Sequence, residues 1–322
     1  MGDTTGIEWA ESTWNPTVGC TKVSAGCDHC YAETLVNRFA PSKGFPNRFD
    51  DMLLRGDKTL LLPLSKKWAT PRRIFVNSLS DLFHKDVPDQ FIARVFAVMA
   101  MADHHTFQVL TKRPGRMRSV LSDSRFWEEV EQREMNYTFE TGSGWSWDGN
   151  PLPKVWLGVS VESQQWADVR IPVLRDTPAA VRWLSMEPLL GPVLLCRCDG
   201  AGYEVKRHPF LVNERCPLHG RDRIDWVVVG GESGPGSRPM HPDWVRSLRD
   251  QCVAAGVPFL FKQWGDYRPS GAGIGALAHQ RFAYVGEPDE HGWRQTMERV
   301  GKKAAGRLLD GRTWDEYPAA TR

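Results

Sequence analysis

The sequence predicts a parallel α/β fold that forms a complete or partial β/α barrel, and a doubly wound open sheet is the alternative. Apolar segments typical of buried strands recur at residues 74–77, 107–111, 155–161, 181–185, 226–230 and 258–262. Enough chain for a helix separates them, and residues 90–101 are apolar enough to form a buried helix. Such alternation gives parallel sheets with right-handed crossovers. With a further strand before Cys20, the chain has the six or seven units that the barrel needs.

Polar residues follow the predicted strands, at the end where β/α barrels carry their chemistry. The residues at these ends that could act on a ligand include Asn77, Asp81, Lys112, Arg113, Ser160, Glu162, Glu187, Glu232 and Lys262. Helix caps explain some of these residue types. The recurrence of a carboxylate or a lysine at these strand ends is better explained by a shared pocket.

The strand pattern also predicts how the chain is divided. Residues 1–270 are expected to form the barrel, with a lid-like insertion at 122–153 and a cysteine-rich insertion at 191–224. Residues 271–322 are expected to form a C-terminal extension packed on the barrel, with a helix over residues 295–309.

Composition restricts the class of protein. The 322 residues carry a net charge of +2, too small to argue for nucleic-acid binding by itself. We expect neither a secretory signal, because the N-terminus is polar, nor a membrane span of about 18 apolar residues. Seven cysteines without an export signal predict a cytoplasmic protein with reduced thiols, for which metal or cluster ligation is the first hypothesis.

The first cysteine motif is Cys20, Cys27 and Cys30, with the spacing C-x6-C-x2-C. Three thiolates can hold three irons of a [4Fe–4S] cluster and leave the fourth iron open to a substrate or cofactor. Three alternatives remain: a zinc site with His29 as the fourth ligand, a redox dithiol at Cys27 and Cys30, and three structural cysteines.

The loop resembles the cluster loop of radical S-adenosylmethionine enzymes, with His29 just before the last cysteine and Tyr31 just after it. The whole chain resembles a phage- and prophage-associated family of unknown function, the three-cysteine-motif proteins. The matching stretches are IEWAESTWNPTVGC, CDHCYAE, RIFVNSLSDLFH, LTKRP, WLGVSVE, WLSMEPLLGPV, GGESGPGSRPM, FKQWG and KKAAGRLLDGRTWDEYP.

The resemblance to radical enzymes implies roles for residues at the strand ends. Glu187 or Glu232 would bind the amino group of S-adenosylmethionine, with Glu232 following the glycine pair Gly230-Gly231. The candidates for its ribose and carboxylate are Asn77, Ser160 and Glu162. The catalytic candidates are Glu187, Lys112 and His84. Two features depart from the usual pattern: the first gap between cysteines is longer, and the Gly-Gly-Glu element occurs late in the chain.

A second motif lies in the cysteine-rich insertion. Cys196-x-Cys198 and Cys216-x2-His219 have the ligand types and spacing of a tetrahedral zinc site, and the metal would stabilise a segment too polar to form a core. The alternative is two unrelated cysteine pockets.

Together these features predict a radical S-adenosylmethionine enzyme that acts on an unidentified substrate, with nucleic acid or a nucleotide favoured. One alternative is a non-catalytic iron–sulfur or zinc protein that binds nucleic acid or a companion protein encoded nearby. The other is a metal-dependent hydrolase. No membrane partner is expected.

Overall fold

The computed structural model of the chain describes residues 5–138, 148–195, 216–218, 222–270 and 282–319. In these ranges the strands are β1 (Ser12–Trp14), β2 (Thr17–Val18), β3 (Leu53–Leu54), β4 (Arg73–Val76), β5 (Thr106–Thr111), β6 (Val155–Ser160), β7 (Val181–Met186), β8 (Trp226–Gly230), β9 (Phe259–Gln263), β10 (Tyr267–Pro269), β11 (Phe282–Val285) and β12 (Gln295–Arg299). The α-helices are α1 (Tyr31–Phe39), α2 (Asp57–Leu60), α3 (Asp89–Met101), α4 (Pro114–Leu121), α5 (Ser124–Thr138), α6 (Gln164–Arg175), α7 (Pro242–Ala255) and α8 (Lys302–Ala305). Short 3-10 helices span Ala25–Cys27, Leu62–Leu64 and Lys66–Trp68.

The main sheet has seven strands in the order β1-β4-β5-β6-β7-β8-β9, and every neighbouring pair is parallel. The spatial order follows the chain order without a reversal, whereas a doubly wound sheet reverses its order partway. The predicted partial β/α barrel is therefore confirmed, including the strand before Cys20. The predicted helix at residues 90–101 is confirmed as α3, in which nine of 13 residues are buried.

The sheet curls around Trp9, which lies on its inner face. The ring of Trp9 is 4.6 Å from Phe75 on β4, 5.1 Å from Trp183 on β7 and 6.1 Å from Trp226 on β8. A Cβ atom at Gly158 of β6 would lie 2.4 Å from the Trp183 ring, so this position needs glycine. These rings fill the lower part of the barrel, and any ligand site is left to the end where the strands finish.

The C-terminal part of the chain packs on the edge strand β9. The backbone N–H of Phe261 donates to the carbonyl oxygen of Trp314 at 2.9 Å, and Leu260 bridges Asp315 in antiparallel fashion. The side chain of Tyr317 stacks on Trp226 at 5.3 Å. These contacts cover the exposed edge of the sheet.

The predicted helix over residues 295–309 is wrong. Residues Gln295–Arg299 form β12, the centre of a three-stranded antiparallel sheet, and only Lys302–Ala305 are helical. Gly301 and Gly306 have φ values of 82° and 72°, which interrupt a continuous helix. Burial of Met297 between two less buried neighbours follows the two-residue period of a strand.

The two predicted insertions are described only in part. Helix α5 covers Ser124–Thr138 and packs on α3, whereas residues 139–147 lie outside the described ranges. Most of the insertion at 191–224 also lies outside them. Both insertions stay predictions. In the described part of the chain, no helix is long and apolar enough to cross a membrane.

Candidate functional site

A cavity of about 460 Å³ opens where the strands of the main sheet end. The cysteine loop, the residues after the strands, and Lys302 of the C-terminal extension surround it. The lining residues among the predicted site residues are Cys20, Cys27, Cys30, Asn77, Lys112, Ser160, Glu187, Gly231 and Glu232. The shared pocket predicted from the strand ends is therefore present.

The cysteine loop is fixed at its start by the loop after β4. The backbone N–H of Gly19 donates to the carbonyl oxygen of Leu79 at 3.1 Å, and that of Cys20 donates to Phe49 at 2.7 Å. Gly19 has a φ of 103°, and a Cβ atom there would lie 2.2 Å from the carbonyl oxygen of Asp51. Only glycine fits this close approach, which places the first thiol at the cavity.

The end of β6 holds the middle of the loop through Glu162. Ser24 donates from Oγ to Oε1 of Glu162 at 2.7 Å. Lys112 and Arg170 pair with the same carboxylate at 3.1 and 2.9 Å. Burial raises the pKa of Glu162, but Lys112, Arg170 and the bond from Ser24 outweigh it and hold the pKa below its usual value. The carboxylate is therefore ionised and bonded on both oxygens. A Cβ atom at Gly26 would lie 2.4 Å from it, which shows how closely the loop packs.

The end of β8 holds the loop near its last cysteine. Glu232 accepts hydrogen bonds from Nε and Nη2 of Arg238 at 2.9 and 2.7 Å, and lies 3.1 Å from Nδ1 of His29. Arg238 also donates from Nη2 to the carbonyl oxygen of Ala25 at 2.8 Å. Burial raises the pKa of Glu232, but the bonds from Arg238 and His29 outweigh it and lower that pKa. This carboxylate therefore anchors the loop.

Asp81 and Arg113 lie beside the first cysteine. The carboxylate of Asp81 accepts from Oγ1 of Thr111 at 2.8 Å and pairs with Nη1 of Arg113 at 3.0 Å. Burial, and next the Asp81 charge, raise the pKa of Cys20 to about 11, while Arg113 opposes the shift. The pKa of Cys30 is also raised, mainly by burial. In the absence of a bound metal, the thiol of Cys20 is thus protonated at neutral pH, and metal binding would release its proton.

His84 is fully buried and is not among the residues that line the cavity. Its Nδ1 accepts from the backbone N–H of Asp86 at 3.3 Å, so Nε2 carries the proton of the neutral ring and bonds Oγ1 of Thr21 at 2.9 Å. Burial, and next Arg113, lower the pKa of His84. The ring thus bonds the cysteine loop on the side away from the cavity. The catalytic role of His84 stays a prediction.

Asn77 presents a buried acceptor, Oδ1, at the cavity. Its Nδ2 donates to Oγ1 of Thr17 at 3.0 Å, Thr17 lies 2.8 Å from Oγ of Ser80, and Ser80 donates to the carbonyl oxygen of Thr17 at 2.9 Å. This order of donors fixes which end of the amide is oxygen. Among the described residues, Oδ1 finds no hydrogen-bond partner, although Asn77 is 4% exposed and lines the cavity. A ligand that donates a hydrogen bond would satisfy it.

The opposite wall carries alternating charges. Nζ of Lys262 lies 2.5 Å from Oε1 of Glu187 and 3.9 Å from Oε2 of Glu8, and Lys302 pairs with Glu8 at 3.2 Å. Glu187 is therefore less fully bonded than Glu162 or Glu232.

The glycine pair at the end of β8 is set by space. A Cβ atom at Gly231 would lie 2.1 Å from the carbonyl oxygen of Trp264, and one at Gly230 would lie 3.3 Å from Glu187. Gly231 therefore lets the end of β8 approach the end of β9 closely, and Gly230 leaves room for the side chain of Glu187.

Sequence reasoning missed three residues that hold the loop, Ser24, Arg170 and Arg238. It also missed Lys302, which pairs with Glu8 beside the cavity. It placed Arg113 at a strand end but did not predict its contact with Cys20. Nothing in the local sequence pairs Arg170 with Glu162 or Arg238 with Glu232.

The predicted zinc sites find no support. In the described part of the chain, no group of three or more His, Cys, Asp or Glu residues could hold a metal ion. The ring of His29 is bonded to Glu232. Cys196, Cys198 and His219 lie outside the described residues, so the second zinc site, with Cys216, stays a prediction.

Comparison with known proteins places the chain in a family. No curated protein matches the sequence. Among solved structures, a cysteine-to-serine mutant of spore photoproduct lyase is 11% identical, with a TM-score of 0.37, over 93% of this chain and 73% of that chain. Spore photoproduct lyase complexed with dinucleoside spore photoproduct is 10% identical, with a TM-score of 0.35, over 90% and 68%. The model of a family described as a protein of unknown function, DUF5131, matches residues 4–318. The chain therefore belongs to the DUF5131 family.

Proposed function

We propose that the protein is a radical S-adenosylmethionine enzyme whose [4Fe–4S] cluster is held by Cys20, Cys27 and Cys30. One observation carries the proposal. Three thiols of a single loop line one cavity at the C-terminal end of a parallel β/α sheet, and none of them forms a disulfide.

The donor set fits a cluster better than a single ion. A zinc ion needs its ligands to converge on one point, and the described residues offer no such group. A cubane takes one thiolate per iron, so its ligands stand apart around it. Three cysteines leave one iron open, and when bound, such a cluster supplies the electron that cleaves S-adenosylmethionine.

The remaining residues of the cavity divide by how fully they are already bonded. Glu162 and Glu232 are engaged by arginine and hold the loop. Glu187 has Lys262 as its one close partner among the described residues, so we assign the amino group of S-adenosylmethionine to Glu187. The Oδ1 acceptor of Asn77 suits a hydroxyl or amino donor of the cofactor rather than its carboxylate.

Other predicted contacts follow from position. Ser160 and the backbone of Gly231 line the cavity and are assigned to the cofactor, as is neighbouring Gly230. Lys112 bonds Glu162 at the cavity wall and stays the catalytic candidate from β5.

We assign the substrate to the nucleic acids or nucleotides. Five cationic residues line the cavity against three carboxylates, and this excess of positive charge favours an anionic substrate. The cations are Lys22, Lys112, Arg113, Lys262 and Lys302, and the carboxylates are Asp81, Glu187 and Glu232. A companion protein and a phage association stay predictions from the sequence.

The test is anaerobic reconstitution followed by electron paramagnetic resonance of the reduced protein with and without S-adenosylmethionine. We expect about four irons per chain and a spectrum that changes on addition of S-adenosylmethionine. Cys27→Ser should lose the iron. Cys252→Ser, which alters a buried cysteine of α7 outside the cavity, is the matched control and should retain it.

The same measurement separates the alternatives. A cluster whose spectrum does not change on addition of S-adenosylmethionine would favour the non-catalytic binding protein. The metal-dependent hydrolase finds no support, because the described residues contain no group of three or more His, Cys, Asp or Glu that could hold a metal ion.

A further inference from the structure

Arg113 lies directly after β5, and its side chain reaches back to the cysteine loop. Its Nη1 lies 3.6 Å from Sγ of Cys20, 93 residues earlier in the chain. A guanidinium is permanently charged and its N–H groups are strong donors. The first cysteine of the motif thus faces a cation through a directed N–H···S contact.

The guanidinium is held in place on two sides. Nη1 also donates to Oδ2 of Asp81 at 3.0 Å. Nη2 donates to both the carbonyl oxygen and Oγ1 of Thr21, at 2.9 and 2.8 Å. Its side chain is only 15% exposed. The guanidinium is planar and rigid, so these partners hold it beside the sulfur of Cys20. It therefore has less conformational freedom than an arginine at the surface.

We propose that Arg113 raises the reduction potential of the iron–sulfur cluster by donating a charged hydrogen bond to the thiolate sulfur of Cys20. The inference rests on the proposed function, because it requires the cluster. Hydrogen bonds to ligand sulfur and nearby positive charge stabilise the more negative, reduced cluster. Asp81 opposes part of the effect of the positive charge, but it does not cancel the directed N–H···S bond. Arg113 acts through Cys20 and is a positioning residue rather than a catalytic one.

The test is a redox titration of the reconstituted protein, followed by electron paramagnetic resonance. Arg113→Gln should shift the midpoint potential to a more negative value while the iron content stays at the wild-type level. Arg113→Lys keeps the positive charge but lacks the planar set of N–H donors. Its midpoint potential should lie between those of wild type and Arg113→Gln. The matched control is Arg116→Gln in α4, the helix that follows Arg113. Arg116 pairs with Asp89 rather than with a cysteine, and its loss should leave the potential unchanged.

The outcomes are distinct. Equal potentials in wild type and Arg113→Gln at equal iron content would overturn the inference. If Arg113→Gln binds no cluster, the potential of Arg113→Lys is compared with that of wild type. A more negative potential in Arg113→Lys supports the inference, and an equal potential overturns it. If the spectrum of the wild-type cluster does not change on addition of S-adenosylmethionine, the proposed enzymatic function is refuted, but the proposed role of Arg113 is not. A wild-type protein that assembles no cluster refutes both.

Discussion

Ser24 of the cysteine loop donates a 2.7 Å hydrogen bond to Glu162 at the end of β6, which lies 138 residues further along the chain. The carboxylate is 1% exposed and is neutralised by Lys112 and Arg170. The end of β6 thus helps to set the position of the cysteine loop. Glu232 and Arg238 make an equivalent connection between the end of β8 and the loop. Two strand ends therefore hold the cysteine loop.

Glu162→Gln tests this anchor. The variant leaves the fully buried Arg170 without its counter-ion, and we expect a loss of about 3 kcal/mol in the free energy of unfolding. Urea denaturation measures it. Glu129→Gln removes a carboxylate that pairs with Arg133 at the surface, and should cost less than about 1 kcal/mol. Equal effects of the two variants would show that the buried pair is not an anchor.

Gly231→Ala tests the close approach of β8 and β9. A Cβ atom would lie 2.1 Å from the carbonyl oxygen of Trp264, so backbone must move, at a cost of about 2 kcal/mol. Thermal unfolding should show a lower midpoint. Gly115→Ala is the control, because nothing lies within 4 Å of the added atom and the residue is in α4. A stable Gly231→Ala protein would contradict the packing described.

His105 makes stability depend on pH. Burial, and next His104, lower the pKa of His105 from 6.5 to about 4. The unfolded chain therefore takes up the proton at a higher pH than the folded protein, and stability is lost as the pH falls from 6.5 towards 4. The loss from this residue should be about 3 kcal/mol at pH 4.

Urea denaturation at several pH values checks the role of His105. In His105→Phe the fall in stability between neutral and acidic pH should shrink. His291→Phe, which changes an exposed histidine, should keep the wild-type fall. An unchanged fall in His105→Phe would assign the acid sensitivity to other groups.

Asn77→Leu tests the role of Oδ1. The variant removes Oδ1 together with the Nδ2 bond to Thr17, and it places leucine at a φ of 60°, so its fold is checked by circular dichroism first. We expect S-adenosylmethionine to bind the reconstituted protein about tenfold more weakly. Asn77→Asp keeps an acceptor at that position and should bind at least as tightly as Asn77→Leu. Equilibrium dialysis gives both affinities. If Asn77→Leu binds as well as wild type, Oδ1 does not contact the cofactor.

The sequence predicts the strands well, because residues such as Val227–Val229 are apolar on both faces of a covered parallel sheet. It also predicts that Cys20, Glu187 and Glu232 share a pocket, since the ends of parallel strands meet at one edge. It does not predict the bonds that tie Glu162 to Arg170 or Cys20 to Arg113. Those pairs depend on how the cysteine loop folds back over the sheet. The helix predicted over β12 was wrong because pairing with β10 and β11 outweighed the helical preference of the local sequence.

The central claim is that this site cleaves S-adenosylmethionine reductively. The direct measurement is 5′-deoxyadenosine formed by the anaerobically reconstituted protein after reduction, with Cys27→Ser and Cys252→Ser assayed beside it. The account predicts 5′-deoxyadenosine from wild type and Cys252→Ser, and none from Cys27→Ser. A wild-type protein with a complete, reduced cluster that forms no 5′-deoxyadenosine would contradict it.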